Sequence, residues 1–403
     1  MIQFKPLVIL FLAACFAQLL GGCGTLPVRN PLPEKFGDAA KIPGIPLARF
    51  WGDEVPEHVG AIFRQPREKL REDFSAIFGR EHNYLALSGG GANGAFGAGL
   101  LAGWSDAGNR PEFTMVTGVS TGALMATFAF LGSAYDPQLK EMYTTYSTRD
   151  LVIRRNLLAA LTGTSAADTT PLKKMLAKYI NKQVMEAIAV EHRKGRRLWI
   201  GTVNLDAKRP VIWNIGQIAS KGNAAALKLI HEVILASASI PAAFPPVFIE
   251  VEAGGRRYDE LHVDGGTASQ VFLYPSHIDW KMVLRHLEVT GTPKAYVIRN
   301  SFLMPEWETV KPKITRIAGI SIDSLIRTQG IGDMYRIYLD CQRDGIDYNL
   351  AYIPEDFDAK PNEEFDPVYM GRLFDLGYQL AKKGYPWVKG PPGFENMGAE
   401  DGR

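Results

Sequence analysis

Apolar residues in this chain fall into short unbroken runs that stop at glycine, and these alternate with stretches of helical spacing. Tyr84-Leu85-Ala86-Leu87-Ser88 is one such run, ending in Gly89-Gly90-Gly91. A short apolar run bounded by glycines reads as a buried strand. Ala95 to Trp104 continues as a helix of small residues, and Phe113 to Thr117 is the next strand. Gly122 to Leu131 is apolar on most faces, as a central buried helix would be. The succession of strand, glycine loop, helix, strand, tight turn and helix predicts an α/β fold with a mainly parallel sheet and helices on both sides.

Later segments follow the same logic. Thr170 reads as a helix N-cap with Pro171 at the first helical position, followed at helical spacing by Leu172, Met175, Leu176 and Tyr179. That stripe is expected to face the core. Leu198 to Val203 and Val211 to Asn214 read as strands joined by a turn over 206–210, and Asn223 to Ala236 as a helix. Ala295 to Arg299 and Tyr348 to Ile353 are late strands. Asp366-Pro367 opens a last amphipathic helix that ends at Lys382-Lys383-Gly384, with stop signals at both ends. Residues 24 to about 80 are proline-rich and weakly periodic, and the chain beyond 390 is expected to fray.

Composition narrows the class little. The 403 residues are 46% hydrophobic and 22% charged, which excludes a disordered chain. Lys+Arg 45 against Asp+Glu 43 leaves a formal charge of +2, and no basic run interleaved with aromatics points to nucleic acid. The N-terminus says more. Lys5 precedes an apolar run from Leu7 to Leu20, the pattern of a secretory signal, too short to be read as a membrane span. Leu20-Gly21-Gly22-Cys23 resembles the lipobox of bacterial lipoproteins. The resemblance implies that residues 1–22 are removed and that Cys23 carries lipid. With Gly24 next, it also implies an outer-membrane location in the cell envelope. Cys15 lies in the leader, so Cys341 has no disulfide partner and is expected to be buried.

Two glycine-rich blocks carry the candidate chemistry. Gly118-Val119-Ser120-Thr121-Gly122 is the G-x-S-x-G pattern, which lifts a serine hydroxyl out of a strand-to-helix turn. Gly89-Gly90-Gly91-Ala92-Asn93-Gly94 also fits a dinucleotide fingerprint. That reading requires an acid at the end of the second strand, where Thr117-Gly118-Val119-Ser120 stands instead. A phosphate loop fails too, because Ala95-Phe96 occupies the Lys-Ser/Thr positions. What remains is a loop of backbone donors beside a nucleophile, the ingredients of an oxyanion hole. For the base, His277 and His286 qualify by chain order alone. Asp264, in Val263-Asp264-Gly265-Gly266, is the better candidate, as a carboxylate at a strand end can take the serine proton in a partly dry site. Ser237 and Ser239 sit beside Pro241 and are expected to shape a turn.

In their order, these blocks resemble the patatin-like phospholipases. The resemblance spans about residues 82 to 300 and includes a fourth block, Ala236-Ser237-Ala238-Ser239-Ile240-Pro241 with Phe244-Pro245. It implies a three-layer α/β/α fold and a Ser–Asp dyad without histidine that cleaves acyl esters of lipids. Ser120 would be the nucleophile, Asp264 the base, and the amides of Gly89, Gly90 and Gly91 the oxyanion hole. Gly94, Gly118, Gly122, Gly265 and Gly266 complete the motifs. One position departs: Asn93 stands where the family usually has Arg or Lys. The competing reading is a lipoprotein that keeps the fold but serves as a binding or assembly module. Neither a cofactor nor calcium is expected, and the His and Cys residues do not cluster at metal-ligand spacing. The expected organisation is a leader over 1–22, a lipidated tether over 23–80, a catalytic domain over 81–300 and a C-terminal α/β extension over 301–403.

Overall fold

The computed structural model describes residues 28–62, 64–156, 163–305 and 307–394. Residues 1–27, which include the expected leader, Cys15 and Cys23, and the last nine residues lie outside them.

A nine-stranded sheet organises the chain. Its strands are β1 (Arg49–Trp51), β2 (Asn83–Leu87), β3 (Met115–Val119), β4 (Arg197–Asn204), β5 (Arg209–Asn214), β6 (Val247–Ala253), β7 (Arg256–Asp264), β8 (Lys294–Arg299) and β9 (Asp347–Tyr352). Five of them, in the order β9-β8-β2-β3-β4, run parallel. Strand β5, antiparallel to β4, and β1, antiparallel to β5, extend that row. The hairpin β6–β7 joins where the end of β4 leaves β3: Val119 pairs with Gly201, and Thr202 next pairs with Asp264.

Alternate residues of the parallel strands enter two separate cores, as period-two side-chain geometry requires. Leu85, Leu87, Tyr296 and Ile298 face one core, and Tyr84, Ala86, Ala295 and Val297 the other. Over the first face lie α1 (Gly94–Asp106), α2 (Thr121–Leu131), α3 (Asp136–Thr144), α4 (Thr170–Tyr179), α5 (Lys182–Arg193), α6 (Ala224–Ser237) and α8 (Pro367–Lys382). The second face is covered by α7 (Ile314–Asp344) and the short helices Arg67–Asp73 and Trp280–His286. This is the three-layer α/β/α arrangement with a mostly parallel sheet that the sequence pattern predicts.

Residues past 300 share this architecture. Strand β9 pairs with β8 along its whole length. Helix α8 packs backbone to backbone on α1: a Cβ on Gly99 would lie 1.9 Å from the Phe374 carbonyl oxygen, and one on Gly377 2.3 Å from that of Phe96. Small residues allow this approach, so α1 reads as glycine-rich because another helix lies on it.

Several local expectations shift. The N-cap of α4 is Thr169, one residue earlier than expected, with Asp168 accepting from the Thr170 amide at 2.8 Å. The last helix starts as read, with Asp366 accepting from the Val368 amide at 2.9 Å. The chain does not fray at 390. Val388 bridges to Leu350, Tyr335 donates to the Pro392 carbonyl, and the Phe394 ring packs edge-on against Tyr335. Cys341 is buried and free, and burial pushes its thiol well above the usual range.

Candidate active site

In a parallel α/β sheet, ligands gather at the carboxyl ends of the strands. Three chain segments meet there. Strand β2 runs into Ser88 and the glycine loop, β3 into Ser120, and β8 into Asn300. Antiparallel β7 ends with Asp264 beside the same edge.

Ser120 is held at φ 55°, ψ −128°, a conformation that costs a non-glycine residue about 1–3 kcal/mol. Two hydrogen bonds hold it. Its amide donates to Ser237 Oγ at 2.9 Å, and its carbonyl accepts from the Ala123 amide at 2.9 Å in the first turn of α2. Ser237 in turn donates to the Gly201 carbonyl at 2.7 Å. The turn exists only with glycine at its base, since a Cβ on Gly118 would lie 2.3 Å from the Gly122 carbonyl oxygen and one on Gly122 2.4 Å from that of Leu87.

The Ser120 hydroxyl faces the carboxylate of Asp264. Asp264 is 5% exposed, and burial pushes its carboxyl from the ordinary range up to about 7. Contact with Ser120 and the Gly266 amide, which donates to Asp264 Oδ1 at 2.7 Å, favour the charged form but do not overcome desolvation. The Asp264 amide donates to the Ser239 carbonyl at 2.9 Å. Ser237 and Ser239 thus shape both turns, one under each candidate group.

Gly89 lies against the serine: a Cβ there would be 3.2 Å from Ser120 Cβ. Its amide, however, donates to the Gln270 carbonyl at 3.0 Å. The expected three-amide oxyanion hole is corrected accordingly. The donors left to meet a ligand are those of Gly90 and Gly91, at the start of a 3-10 turn over Gly91–Asn93 where helical N–H groups lack internal acceptors. A Cβ on Gly90 would fall 2.1 Å from the Asn300 carbonyl oxygen. Gly94 opens α1 against Thr121, and Gly265 packs on the Gly201 carbonyl.

No histidine joins Ser120 among the described contacts. His277 and His286 are exposed, and His286 contacts the Met282 carbonyl on its own helix. His262, two residues before Asp264, is fully buried with Thr202 and Glu260, and desolvation lowers its pKa.

Three bracing residues went unread in the sequence. Asn300 donates to the Ser88 carbonyl at 3.0 Å and accepts from the Gly97 amide at 3.1 Å, fixing both ends of the glycine loop. Gln270 ties that loop to the aspartate turn, its side chain donating to the Gly266 carbonyl at 2.8 Å. Asp333, from α7, accepts from the Gln270 amide at 2.6 Å. Asn93, the departing position, accepts from the Tyr369 hydroxyl at 2.7 Å and so fastens the loop to α8. Only lone polar residues mark these places, and no periodic pattern announces them.

An apolar cavity opens beside Ser120. Its volume is about 80 Å³, and it is lined by Leu124, Met142, Tyr143, Leu151, Leu172, Met175, Leu176, Ile234, Leu235, Phe244, Phe365 and Met370. The α4 stripe expected to face only core thus also walls this space. Among the described residues, no cluster of three or more His, Cys, Asp or Glu side chains could hold a metal ion, and no helix is long and apolar enough to cross a membrane.

Residues 85–275 match the family model described as Patatin-like phospholipase. No curated protein matches the chain. Among solved structures, VipD from Legionella pneumophila aligns at 12% identity over 75% of this chain and 66% of that one, with a TM-score of 0.35.

Proposed function

We propose, from the match of residues 85–275 to the Patatin-like phospholipase model, that the chain is a serine lipid acyl hydrolase working through Ser120 and Asp264. One observation carries the reading. A strained serine meets a buried carboxyl tuned to about 7 at the mouth of an apolar cavity. A base with a pKa near working pH is partly ionised and still basic, the compromise that general-base catalysis favours.

The steps follow from the atoms present. The ester's acyl chain enters the cavity walled by Leu172, Met175 and Leu176, which places its carbonyl carbon at Ser120 Oγ. Asp264 takes the hydroxyl proton as Oγ attacks. The Gly90 and Gly91 amides, with the positive end of the α2 dipole, meet the negative charge that develops on the carbonyl oxygen. Asp264 returns the proton to the departing alcohol and leaves an acyl-serine. Water, deprotonated by the same carboxylate, then releases the fatty acid and restores Ser120.

The leader and lipobox support a further part of the proposal. Cys23 carries lipid and anchors the enzyme in the cell envelope, at the outer membrane, next to its substrate. Palmitate incorporation lost in Cys23→Ser would support the anchor, and incorporation that persists would refute it.

The direct test is labelling of the protein with a fluorophosphonate and mapping of the adduct. Labelling at Ser120, abolished in Ser120→Ala, is expected. A folded protein that resists the probe would return the chain to the binding-module reading.

A further inference from the structure

Helix α7 contains 31 residues, whereas the strands it connects have six each. It leaves the carboxyl edge of β8, returns to the opposite edge, and enters β9. Gly330 packs on Arg299, the last residue of β8, and Asp333 bonds the Gln270 amide beside the dyad. The level of the active edge is therefore reached only at about residue 330. The 16 residues Ile314 to Gln329, about 24 Å of helix at 1.5 Å per residue, extend beyond the sheet on the side where Ser120 opens.

The two halves of α7 present apolar residues in different directions. At 100° per residue, Met334, Ile337 and Cys341 share one face, and all three are buried in the second core. Ile314, Ile317, Ile322 and Leu325 share the opposite face, and they are 85%, 50%, 53% and 70% exposed. Arg316, Asp323 and Arg327 take the face that continues the buried stripe. The outer stripe is therefore not a continuation of core packing. Just before it come Trp307, 94% exposed, and the cations Lys311 and Lys313. An apolar helix face backed by two arginines and an aspartate, with a tryptophan and lysines at its entry and Glu308 paired with Arg316, has the composition of a helix that lies in a membrane interface.

We propose that residues 307–329 dock this protein on a lipid bilayer bearing anionic headgroups, with Trp307, Ile314, Ile317, Ile322 and Leu325 entering the acyl boundary and Lys311 and Lys313 at headgroup level. The choice of partner rests on the lipid hydrolase reading. The surface projects from the sheet edge that holds Ser120, so docking presents that edge to the substrate layer. It acts independently of any N-terminal lipid, which would tether the chain without orienting it.

The test uses the full chain carrying Ser120→Ala, so that no lipid is consumed. It is mixed with phosphatidylglycerol–phosphatidylcholine vesicles whose acyl chains are brominated. Quenching that disappears on Trp307→Phe isolates the contribution of Trp307. Trp307 is expected to be quenched, and Ile314→Glu with Leu325→Glu to abolish the quenching while the circular dichroism spectrum stays unchanged. With Ser120 intact, the same pair of substitutions should leave hydrolysis of a soluble short-chain ester unchanged and lower hydrolysis of vesicle lipid roughly ten-fold or more, since two large apolar side chains leave the bilayer. A Trp307 that brominated lipid does not quench in vesicle-bound protein would overturn the proposal. So would a concentration-dependent dimer dissociated by the double substitution, because the stripe would then be covered by a second copy. Quenching intact in a wild type that hydrolyses no ester would instead defeat the hydrolase reading and leave the docking surface standing.

Discussion

The two faces of the central sheet solve different problems at one edge. On the first, α3, α4 and α6 stop short of filling the space beside Ser120 and leave an apolar cavity. On the second, α7 closes against the sheet with buried charge. Asp333 is 4% exposed and bonds the Gln270 and Val271 amides, and Arg299 is 3% exposed with Nη1 lacking a hydrogen-bond partner. Burial raises the Asp333 carboxyl and lowers Arg299 to about 10. An apolar void costs packing, and buried charge costs desolvation. Both costs fall within one layer of the dyad, where the void can receive an acyl chain and the charge can fix the turn that carries Asp264.

Outside the dyad, the largest effect should come from Asp333→Asn on the bracing face. The substitution keeps the volume and removes the charge that holds the Gln270 amide and Arg336. We expect kcat to fall roughly 100-fold with KM little changed, a loss of about 3 kcal/mol typical of a broken charged hydrogen bond. Steady-state kinetics on a soluble ester would show it. A rise in KM alone would mean that α7 contributes to binding rather than alignment.

On the cavity face, Leu176→Trp fills space without touching the dyad. Activity on long-chain esters should drop roughly ten-fold, in line with the 1–3 kcal/mol cost of overpacking, while short-chain esters keep their rate. A chain-length series measures this, and a uniform loss would show that the acyl chain lies elsewhere.

A smaller effect separates the glycine loop from its support. Tyr369→Phe removes the hydroxyl that donates to Asn93 at 2.7 Å. It should lower stability by about 1 kcal/mol, read as a shift in denaturant midpoint, with a modest loss of rate. An unchanged midpoint would make the tie to α8 incidental.

The sequence revealed the parts of this site that backbone sterics demand. Gly118 and Gly122 are glycine because the elbow brings backbone within van der Waals contact, and such positions are visible in a single sequence. Asp264 was legible for a related reason, as an acid between an apolar residue and a glycine pair at a strand end. Parts assembled from distant segments were not. The cavity draws on six helices, the short Thr148–Leu151 among them, and the loops between them, and each contributing stripe looks like ordinary core. Nothing in the chain announces that the Gln270 carbonyl accepts the Gly89 amide, so the sequence makes Gly89 look like a third oxyanion donor. Helix α7 is not legible as an amphipathic helix because no one apolar stripe runs its length: Ile314, Ile317, Ile322 and Leu325 face outward before residue 330, and Met334, Ile337 and Cys341 face the core after it. The hairpin Val247–Asp264 was legible only at its final residue.

The central claim is that Asp264 is the base for Ser120, and the pH dependence of kcat/KM on a soluble short-chain ester tests it most directly. A base works only when ionised. With its carboxyl raised to about 7 by burial, activity should be low in acid, rise with pH and level off above that midpoint. In Asp264→Asn the rate should collapse and the sigmoidal rise should vanish with it. A wild-type profile flat through neutrality, or a midpoint near 7 that survives in Asp264→Asn, would contradict the account.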